Sequence, residues 1–163
     1  MTRLTKPRQT VLISSKGEAD IFGKQILKDN LTAIDQHMSC SNNPRLYAIS
    51  LSKTSFSYKL INESNVFIVN FVSHNLAEEI KICLTRHGDY TDKFKETKLT
   101  KVEGEKVDCP LVKEALGHLE CEVVEEIETG DHIVFIGKVL KESLKEDDKR
   151  LFHLGNHKFS TTL

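Results

Sequence analysis

The sequence predicts one domain, residues 1–163, built from a mainly antiparallel β-sheet or barrel with helices packed at its ends. Three observations support this fold class. The 163 residues suffice for one sizeable core. Segments with strand patterns outnumber those with helix patterns. The most regular stretch, residues 119–140, alternates on both sides of Thr129-Gly130, which is typical of a long antiparallel hairpin rather than of parallel βαβ units.

Five segments are predicted as strands. Three are apolar runs that are too short and too rich in β-branched residues for helices, which indicates buried strands. The other two are the alternating arms of the hairpin. In chain order the five segments are residues 10–15, 46–51, 66–71, 119–128 and 132–140.

Two segments carry helix patterns. In residues 76–86 apolar side chains recur at helical spacing, Asn75 and Glu78 resemble a capping box, and Gly88 can close the C-terminus. A shorter helix is predicted over residues 55–63, where apolar residues share one face and Ser and Thr residues precede it.

Charge and cysteine content narrow the functional classes. The chain has 23 Lys and Arg against 24 Asp and Glu, a net charge of −1, which disfavours a general nucleic-acid binder. Its four cysteines include no C-x-x-C pair, so reduced thiols in a cytoplasmic protein are favoured over disulfides or a zinc site. No segment has the apolar length of a signal peptide or a membrane span, so neither export nor membrane insertion is expected.

The turn Ser52-Lys53-Thr54-Ser55 is a candidate anion site. It joins a predicted strand to a predicted helix, so backbone N–H groups, three hydroxyls and an ammonium lie together at a helix N-terminus, as in phosphate sites. The structural alternative is that Thr54 or Ser55 caps the helix and that Lys53 is solvated.

The end of the other helix is a second candidate. Residues 85–88 (TRHG) are followed by residues 92–94 (DKF), which again collects cationic side chains at a helix end. Helix capping explains the same residues, because cations in the last turn complement the helix dipole and Gly88 suits a C-terminal cap.

Cys40, His132 and the pair His153 and His157 are further candidate functional residues. Cys40, in a polar segment predicted as a loop, is a candidate reactive thiol, although lone cysteines are more often incidental. His132, at the start of the second hairpin arm, is either a turn residue or an acid–base or ligand-contacting one. His153 and His157 have metal-like spacing, but the intervening Gly155 argues against a helix that would align them, so no metal site is predicted.

Taken in order, these segments resemble the flavin reductase family of FMN-binding split β-barrels, which includes flavoredoxin and small archaeal ferric reductases. The resemblance covers about nine tenths of the chain. It rests on residues 30–61, 67–71, 76–94 (LAEEIKICLTRHGDYTDKF), 99–111, 119–121, 130–137 and 151–159 (LFHLGNHKF).

The resemblance implies a split β-barrel of antiparallel, Greek-key type with peripheral helices, and it implies positions for the cofactor FMN. The isoalloxazine ring would lie against the loop between the second and third strands: His37, Met38, Ser39, Cys40 and Ser41. The flavin phosphate would be held by both candidate anion sites: Ser52, Lys53, Thr54, Arg86, His87, Asp92 and Lys93.

The resemblance also implies an activity. FMN would take electrons from NAD(P)H or a reduced carrier and pass them to free flavin, ferric iron or a partner protein, while the chain supplies position and electrostatics. His132 is the residue predicted to hold nicotinamide or tune the flavin. Relatives are homodimers, and the open edge of a split barrel gives a physical reason to dimerise.

The chain departs from the family pattern near the expected flavin. Gln36 stands where relatives often carry Trp, and Arg45 replaces the second residue of a Pro-Pro pair. Leu84, His87 and Asp89 replace Gly, Ser and Arg at the helix end. These departures support an alternative function, a non-enzymatic dimeric split-barrel module that binds flavin weakly.

Residues 21–28 (IFGKQILK) are an insertion relative to the family pattern. They are expected to lengthen the first hairpin.

Overall fold

The computed structural model describes residues 3–162, and twelve strands, three α-helices and two 3₁₀ turns form within that range. The strands are β1 (Arg8–Gln9), β2 (Val11–Ile21), β3 (Lys24–Ile34), β4 (His37–Asn42), β5 (Arg45–Ser52), β6 (Val66–Phe71), β7 (Lys101–Glu103), β8 (Pro110–Val112), β9 (Gly117–Thr129), β10 (His132–Leu144), β11 (Leu151–Gly155) and β12 (Lys158–Thr161). The helices are α1 (Phe56–Ser64), α2 (Ala77–Thr85) and α3 (Lys93–Thr97), and the 3₁₀ turns cover Arg3–Thr5 and His74–Leu76.

Seven strands form one antiparallel sheet in the order β3-β2-β6-β9-β10-β5-β4. A three-stranded sheet, β1-β11-β12, and a two-stranded sheet, β7-β8, complete the fold. The predicted fold class, mainly antiparallel β with peripheral helices, is confirmed.

The two edges of the seven-stranded sheet meet at one point. β3 and β4 occupy opposite edges, yet only Asp35 and Gln36 separate them in the chain. From Ile34 to His37 the backbone spans at most about 10 Å. The sheet must therefore curl until its edges converge there, and the Ser50 amide of β5 fastens the link by donating to the Gln36 carbonyl oxygen (3.0 Å).

The core is divided by this curled sheet. On β2, Val11 and Ile13 belong to one buried cluster while Leu12, between them, belongs to another, because successive side chains point to opposite faces. The first cluster includes Phe67 and Phe135, both fully buried. β2 is thus buried on both faces, which explains why its start is a continuous apolar run.

The predicted strands are all present, and several extend further. The first predicted strand continues to Ile21, and its hairpin with β3 closes at Phe22-Gly23, where both residues have positive φ (52° and 81°), as in a type I′ turn. The insertion, residues 21–28, lies at this hairpin tip. Its last residue, Lys28, donates to the carbonyl oxygen of Gly88 and lies 5.2 Å from the Phe56 ring centroid.

The loop predicted for residues 37–41 is wrong, because these residues form β4. His37 pairs with Ile49 and Met38 with Ala48, and a bulge follows Ser39. The polar composition of residues 39–43 and the family resemblance both indicate a loop, but hydrogen bonding to β5 outweighs local propensity at a sheet edge.

The predicted capping of α2 is also wrong. Ser73, not Asn75, provides the side-chain cap, accepting from the Asn75 amide (3.1 Å) at the start of the 3₁₀ turn. Gly88 does not close the helix, since α2 ends at Thr85. Gly88 instead leaves room for a neighbour, because a Cβ there would come within 2.5 Å of Asn30 Oδ1.

None of the helices in the described part of the chain is both long and apolar enough to cross a membrane.

Candidate functional site

A cavity of about 250 Å³ lies where the edges of the curled sheet converge. We call it the seam cavity. It is lined by residues 32–36 from β3 and the link, residues 50–52 from β5, Ser55, Leu84, His132 and His153.

A second cavity, of about 240 Å³, adjoins the first and is called the helix-end cavity. Thr32, Ala33, Ser55 and Leu84 line both, so the two cavities share a wall, and we call the pair the groove. The remaining walls come from the start of α1, the end of α2 and the residues after it: Asn30, Phe56, Cys83, Arg86, His87, Gly88 and Lys93.

The N-terminus of α1 opens into this groove. Ser55 is the N-cap residue with extended backbone (φ −66°, ψ 137°), but its side chain makes no capping hydrogen bond. The N–H groups of the first turn, which carry the positive end of the helix dipole, therefore have no capping side chain from Ser55, the N-cap residue. Ser52 shapes the preceding turn by accepting from the Thr54 amide (3.2 Å).

Basic side chains line the helix-end cavity. Lys93 is buried and donates to the Cys83 carbonyl oxygen at the end of α2 (3.1 Å), and burial lowers the pKa of its ammonium. Arg86 is exposed on the cavity wall, and His87 is paired with the Asp89 carboxylate. With the α1 N-terminus, this arrangement suits an anionic group.

Asn30 contributes a buried amide to the helix-end cavity. Its Nδ2 donates to Ser57 Oγ (3.0 Å), and its Oδ1 has no hydrogen-bond partner within residues 3–162. Exchanging the two ends of the amide keeps the Ser57 contact, since a hydroxyl both donates and accepts. Asn30 can therefore offer either a donor or an acceptor to a ligand.

Two histidines line the seam cavity. His132 Nδ1 lies 2.8 Å from Asp131 Oδ1, and this hydrogen bond lowers the pKa of the Asp131 carboxyl. His153 Nδ1 lies 2.7 Å from Asp35 Oδ2, and Lys6 is ion-paired with the same oxygen. Burial alone would raise the pKa of Asp35, but hydrogen bonds from Lys6, Thr10 and His153 hold it below its usual value.

The structure brings together only part of the predicted site. Five of the predicted residues line the groove: Ser52, Arg86, His87, Lys93 and His132. Lys53 is ion-paired with Glu128, the Thr54 hydroxyl lies 2.9 Å from Ser52 Oγ, and Asp92 caps α3 by accepting from the Lys95 amide (3.1 Å).

The β4 residues lie elsewhere. His37, Met38, Ser39, Cys40 and Ser41 line neither the seam cavity nor the helix-end cavity. His37 and Met38 instead line a separate depression of about 190 Å³, which also includes Gln36. Gln36 and Ser50 line both this depression and the seam cavity.

His37 is held in the neutral form by its surroundings. Its Nδ1 lies 2.8 Å from the Tyr47 hydroxyl and its Nε2 lies 2.8 Å from the Gln9 carbonyl oxygen, while burial lowers the pKa of the ring. Because the pKa of His37 is about 6.5 in the unfolded chain and lower in the folded protein, the unfolded chain binds a proton at this ring more readily than the folded protein does below about pH 6.5.

This arrangement predicts a pH dependence of stability. We expect the free energy of unfolding to fall as pH drops below about 6.5, and His37→Gln to make that fall shallower because the titrating ring is gone. Urea unfolding of both proteins across the acid range measures this. Parallel curves for the two proteins would contradict the assignment.

Sequence reasoning missed Asn30, Asp35, Ser50 and His153 as groove residues. The spacing of Asp35 and His153, 118 residues apart, offers no local signal. Only the two-residue link between β3 and β4 places residues 32–36 beside β5, and the polar sequence of β4 does not predict a strand there.

Comparison with known proteins is consistent with this geometry. An uncharacterized protein of Archaeoglobus fulgidus is 34% identical over 113 residues, which cover 69% of this chain and 64% of that protein, so the match spans just under two thirds of the relative. An uncharacterized protein of Pyrococcus abyssi is 32% identical over 145 residues, 89% of this chain and 78% of that protein.

Solved structures share the fold. The FMN-binding protein of Thermus thermophilus superposes with a TM-score of 0.83 at 18% identity, covering 96% of this chain and 86% of that one. Flavoredoxin of Desulfovibrio vulgaris gives 0.81 at 22% identity, covering 96% and 87%. The predicted split barrel is confirmed. The family profile described as flavin reductase like domain matches residues 4–162, and the chain therefore belongs to the flavin reductase-like family.

Proposed function

We propose that this chain is a cytoplasmic FMN-binding oxidoreductase of the flavin reductase type. It would pass electrons from NAD(P)H or a reduced carrier through FMN to free flavin, ferric iron or a partner protein. The observation that carries the proposal is the pair of adjoining cavities: the seam cavity has hydroxyl and apolar side chains in its wall, and the helix-end cavity has a helix N-terminus with Arg86 and Lys93. A flavin reductase solved with NADP⁺ has the same fold (TM-score 0.74).

The residues present fit a phosphorylated flavin. The phosphate would be held in the helix-end cavity by the N–H groups of α1, the Asn30 amide, Arg86 and Lys93. The ring would lie in the seam cavity against residues 32–36 and Ser50, with β4 beyond Gln36. FMN, when bound, supplies the two-electron chemistry.

The chain's own contribution is position and exclusion of water. His132, at the wall of the seam cavity, would contact the nicotinamide or the flavin edge, and its bond to Asp131 fixes the ring. The Lys53 amide donates to the Asp131 carbonyl oxygen (3.0 Å), so the turn carrying His132 is fastened to the turn that opens α1.

FMN should bind at least about tenfold more tightly than riboflavin, because each hydrogen bond to a charged group contributes roughly 1.5–3 kcal/mol. Fluorescence quenching of each flavin gives the two dissociation constants. FAD is the third ligand to compare, since an NADH:FAD oxidoreductase is among the proteins with this fold. Equal affinities for FMN and riboflavin would contradict the proposal that these residues bind the phosphate.

Arg86 and Lys53 provide a matched pair of cations for the same measurement. Arg86 lines the helix-end cavity, whereas Lys53 is ion-paired with Glu128. We therefore expect Arg86→Ala to weaken FMN by about tenfold with riboflavin unchanged, and Lys53→Ala to weaken FMN less. A larger loss of FMN affinity in Lys53→Ala than in Arg86→Ala would indicate that Lys53, and not Arg86, contacts the phosphate.

The alternative is a module that binds flavin without turning it over. It is favoured by Leu84, which lines both cavities where relatives carry Gly, and by Asp89, whose carboxylate pairs with His87. Anaerobic titration of the FMN-loaded protein with NADH, NADPH and reduced ferredoxin separates the two. Bleaching of the flavin absorbance supports the reductase, and a stable oxidised spectrum with all three donors supports the module.

We also propose a homodimer. β4 is an edge strand of the seven-stranded sheet and exposes Met38, and unpaired strand edges favour association. Light scattering should give about twice the chain mass of 18.5 kDa at micromolar concentration. A particle of the chain mass would contradict the dimer.

A further inference from the structure

A group of polar side chains belongs to the wall of the seam cavity: His153 and Asp35 line it, and Lys6 pairs with Asp35. His153, Asp35 and Lys6 have side chains only 16%, 13% and 12% exposed. The Asp35 carboxylate accepts from His153 Nδ1 (2.7 Å), from Thr10 Oγ1 (2.7 Å) and from Lys6. Arg8 Nε donates to the Asp35 backbone carbonyl oxygen (3.0 Å).

These contacts fix the His153 ring. Its plane is set by stacking on Phe159, with ring centroids 5.0 Å apart and an interplanar angle of 24°. Asp35 is the nearer partner of Nδ1, since Lys6 Nζ lies 3.1 Å away and is itself held by Asp35.

The other ring nitrogen is left without a partner. His153 Nε2 is buried, and no described residue hydrogen-bonds to it. A neutral imidazole whose Nδ1–H donates to a carboxylate keeps a lone pair on Nε2, so in this tautomer the missing partner is a hydrogen-bond donor. Buried polar atoms in folded proteins are nearly always paired, which makes an unpaired one beside a cavity informative.

We propose that His153 is a flavin-contacting residue of the seam cavity, with Asp35 and Lys6 as the residues that position it. Its Nε2 accepts a hydrogen bond from an N–H or O–H group of the flavin ring or ribityl chain. This inference rests on the proposed function, since it assigns a partner within the same groove. It also separates His153 from the phosphate residues, because a phosphate dianion offers no proton.

Binding of FMN and of riboflavin to four proteins tests the assignment: wild type, His153→Phe, His153→Gln and His157→Asn. His153→Phe keeps an aromatic ring beside Phe159 but removes Nε2, and should weaken FMN and riboflavin by the same factor, about tenfold. His153→Gln keeps a polar amide near Nε2 and should recover part of the loss. His157→Asn, at the exposed turn after β11, should match wild type.

A second measurement does not depend on any variant. In the ¹⁵N spectrum of the wild-type histidines, the Nε2 resonance of His153 should shift when FMN or riboflavin is added, while that of His157 stays in place. Unchanged flavin affinities in His153→Phe, or an unmoved Nε2 resonance in a flavin-saturated sample, would overturn the contact and leave the flavin site intact. Failure of the wild type to bind either flavin would overturn the proposed function together with this inference.

Discussion

Asp35→Ala should lower the free energy of unfolding by about 3–5 kcal/mol, the cost of breaking a buried ion pair from one side. The substitution leaves the Lys6 ammonium, the Thr10 hydroxyl and His153 Nδ1 without their shared acceptor. Urea unfolding at neutral pH measures the loss.

A double variant tests the cause. In Lys6→Met/Asp35→Leu both charges are gone, so most of the stability should return. If this variant is as unstable as Asp35→Ala, the loss comes from packing and not from the stranded charge. A loss below 1 kcal/mol in Asp35→Ala would contradict the burial of the pair.

The Asp35 carboxylate should also make the stability of the protein depend on pH in the acid range. Because the pKa of Asp35 in the folded state lies below the unfolded value of about 3.8, its stabilising contribution is complete above that pH and is lost as pH falls below it toward the folded value. That part of the acid-induced loss should be absent from Asp35→Asn.

Phe67→Ala should cost about 3–5 kcal/mol, since it empties a fully buried position in the barrel core. Gly137→Ala should cost about 1–3 kcal/mol alone, because its new Cβ would lie 2.6 Å from Phe67 Cζ and 2.8 Å from Cys121 Cβ. The ring of Phe67 thus occupies the space that a larger residue at 137 would need.

The two substitutions should therefore compensate. In Phe67→Ala/Gly137→Ala the added methyl enters the space that the ring has left, so the double variant should be more stable than the sum of the single losses implies. Chemical denaturation of the wild type, the two single variants and the double variant gives the four free energies of this double-mutant cycle. The control is Lys138→Ala, at an exposed position of the same strand, which should change the free energy of unfolding by no more than about 0.5 kcal/mol. Additive losses would contradict the contact.

The sequence predicts the barrel strands well because their patterns are local. Residues 66–71 are buried on both faces, and the hairpin of β9 and β10 alternates around its turn. β4 and β11 could not be predicted in this way. They are short and polar or mixed, and become strands because neighbouring strands supply hydrogen-bonding partners: β5 for β4, and β1 and β12 for β11.

The residues that line the candidate groove could be predicted only in part, and for the same reason. The turn before α1 and the end of α2 are local signals, and Ser52, Arg86, His87 and Lys93 meet in the groove. The direction of a long side chain is not local. The Lys53 side chain does not line the groove, because it pairs with Glu128 of β9. Asp35 has its partners on β11 and on the N-terminal segment.

The two-residue link between β3 and β4 has a kinetic consequence. The link keeps the ends of β3 and β4 close at every stage of folding, but five other strands lie between them in the sheet, and Asp35 of the link bonds to His153, which is 118 residues away in the chain. Such non-local closure is slow to form, and contacts made last are absent from the folding transition state. We therefore expect substitutions at Asp35 and Gln36 to speed unfolding while leaving the folding rate nearly unchanged.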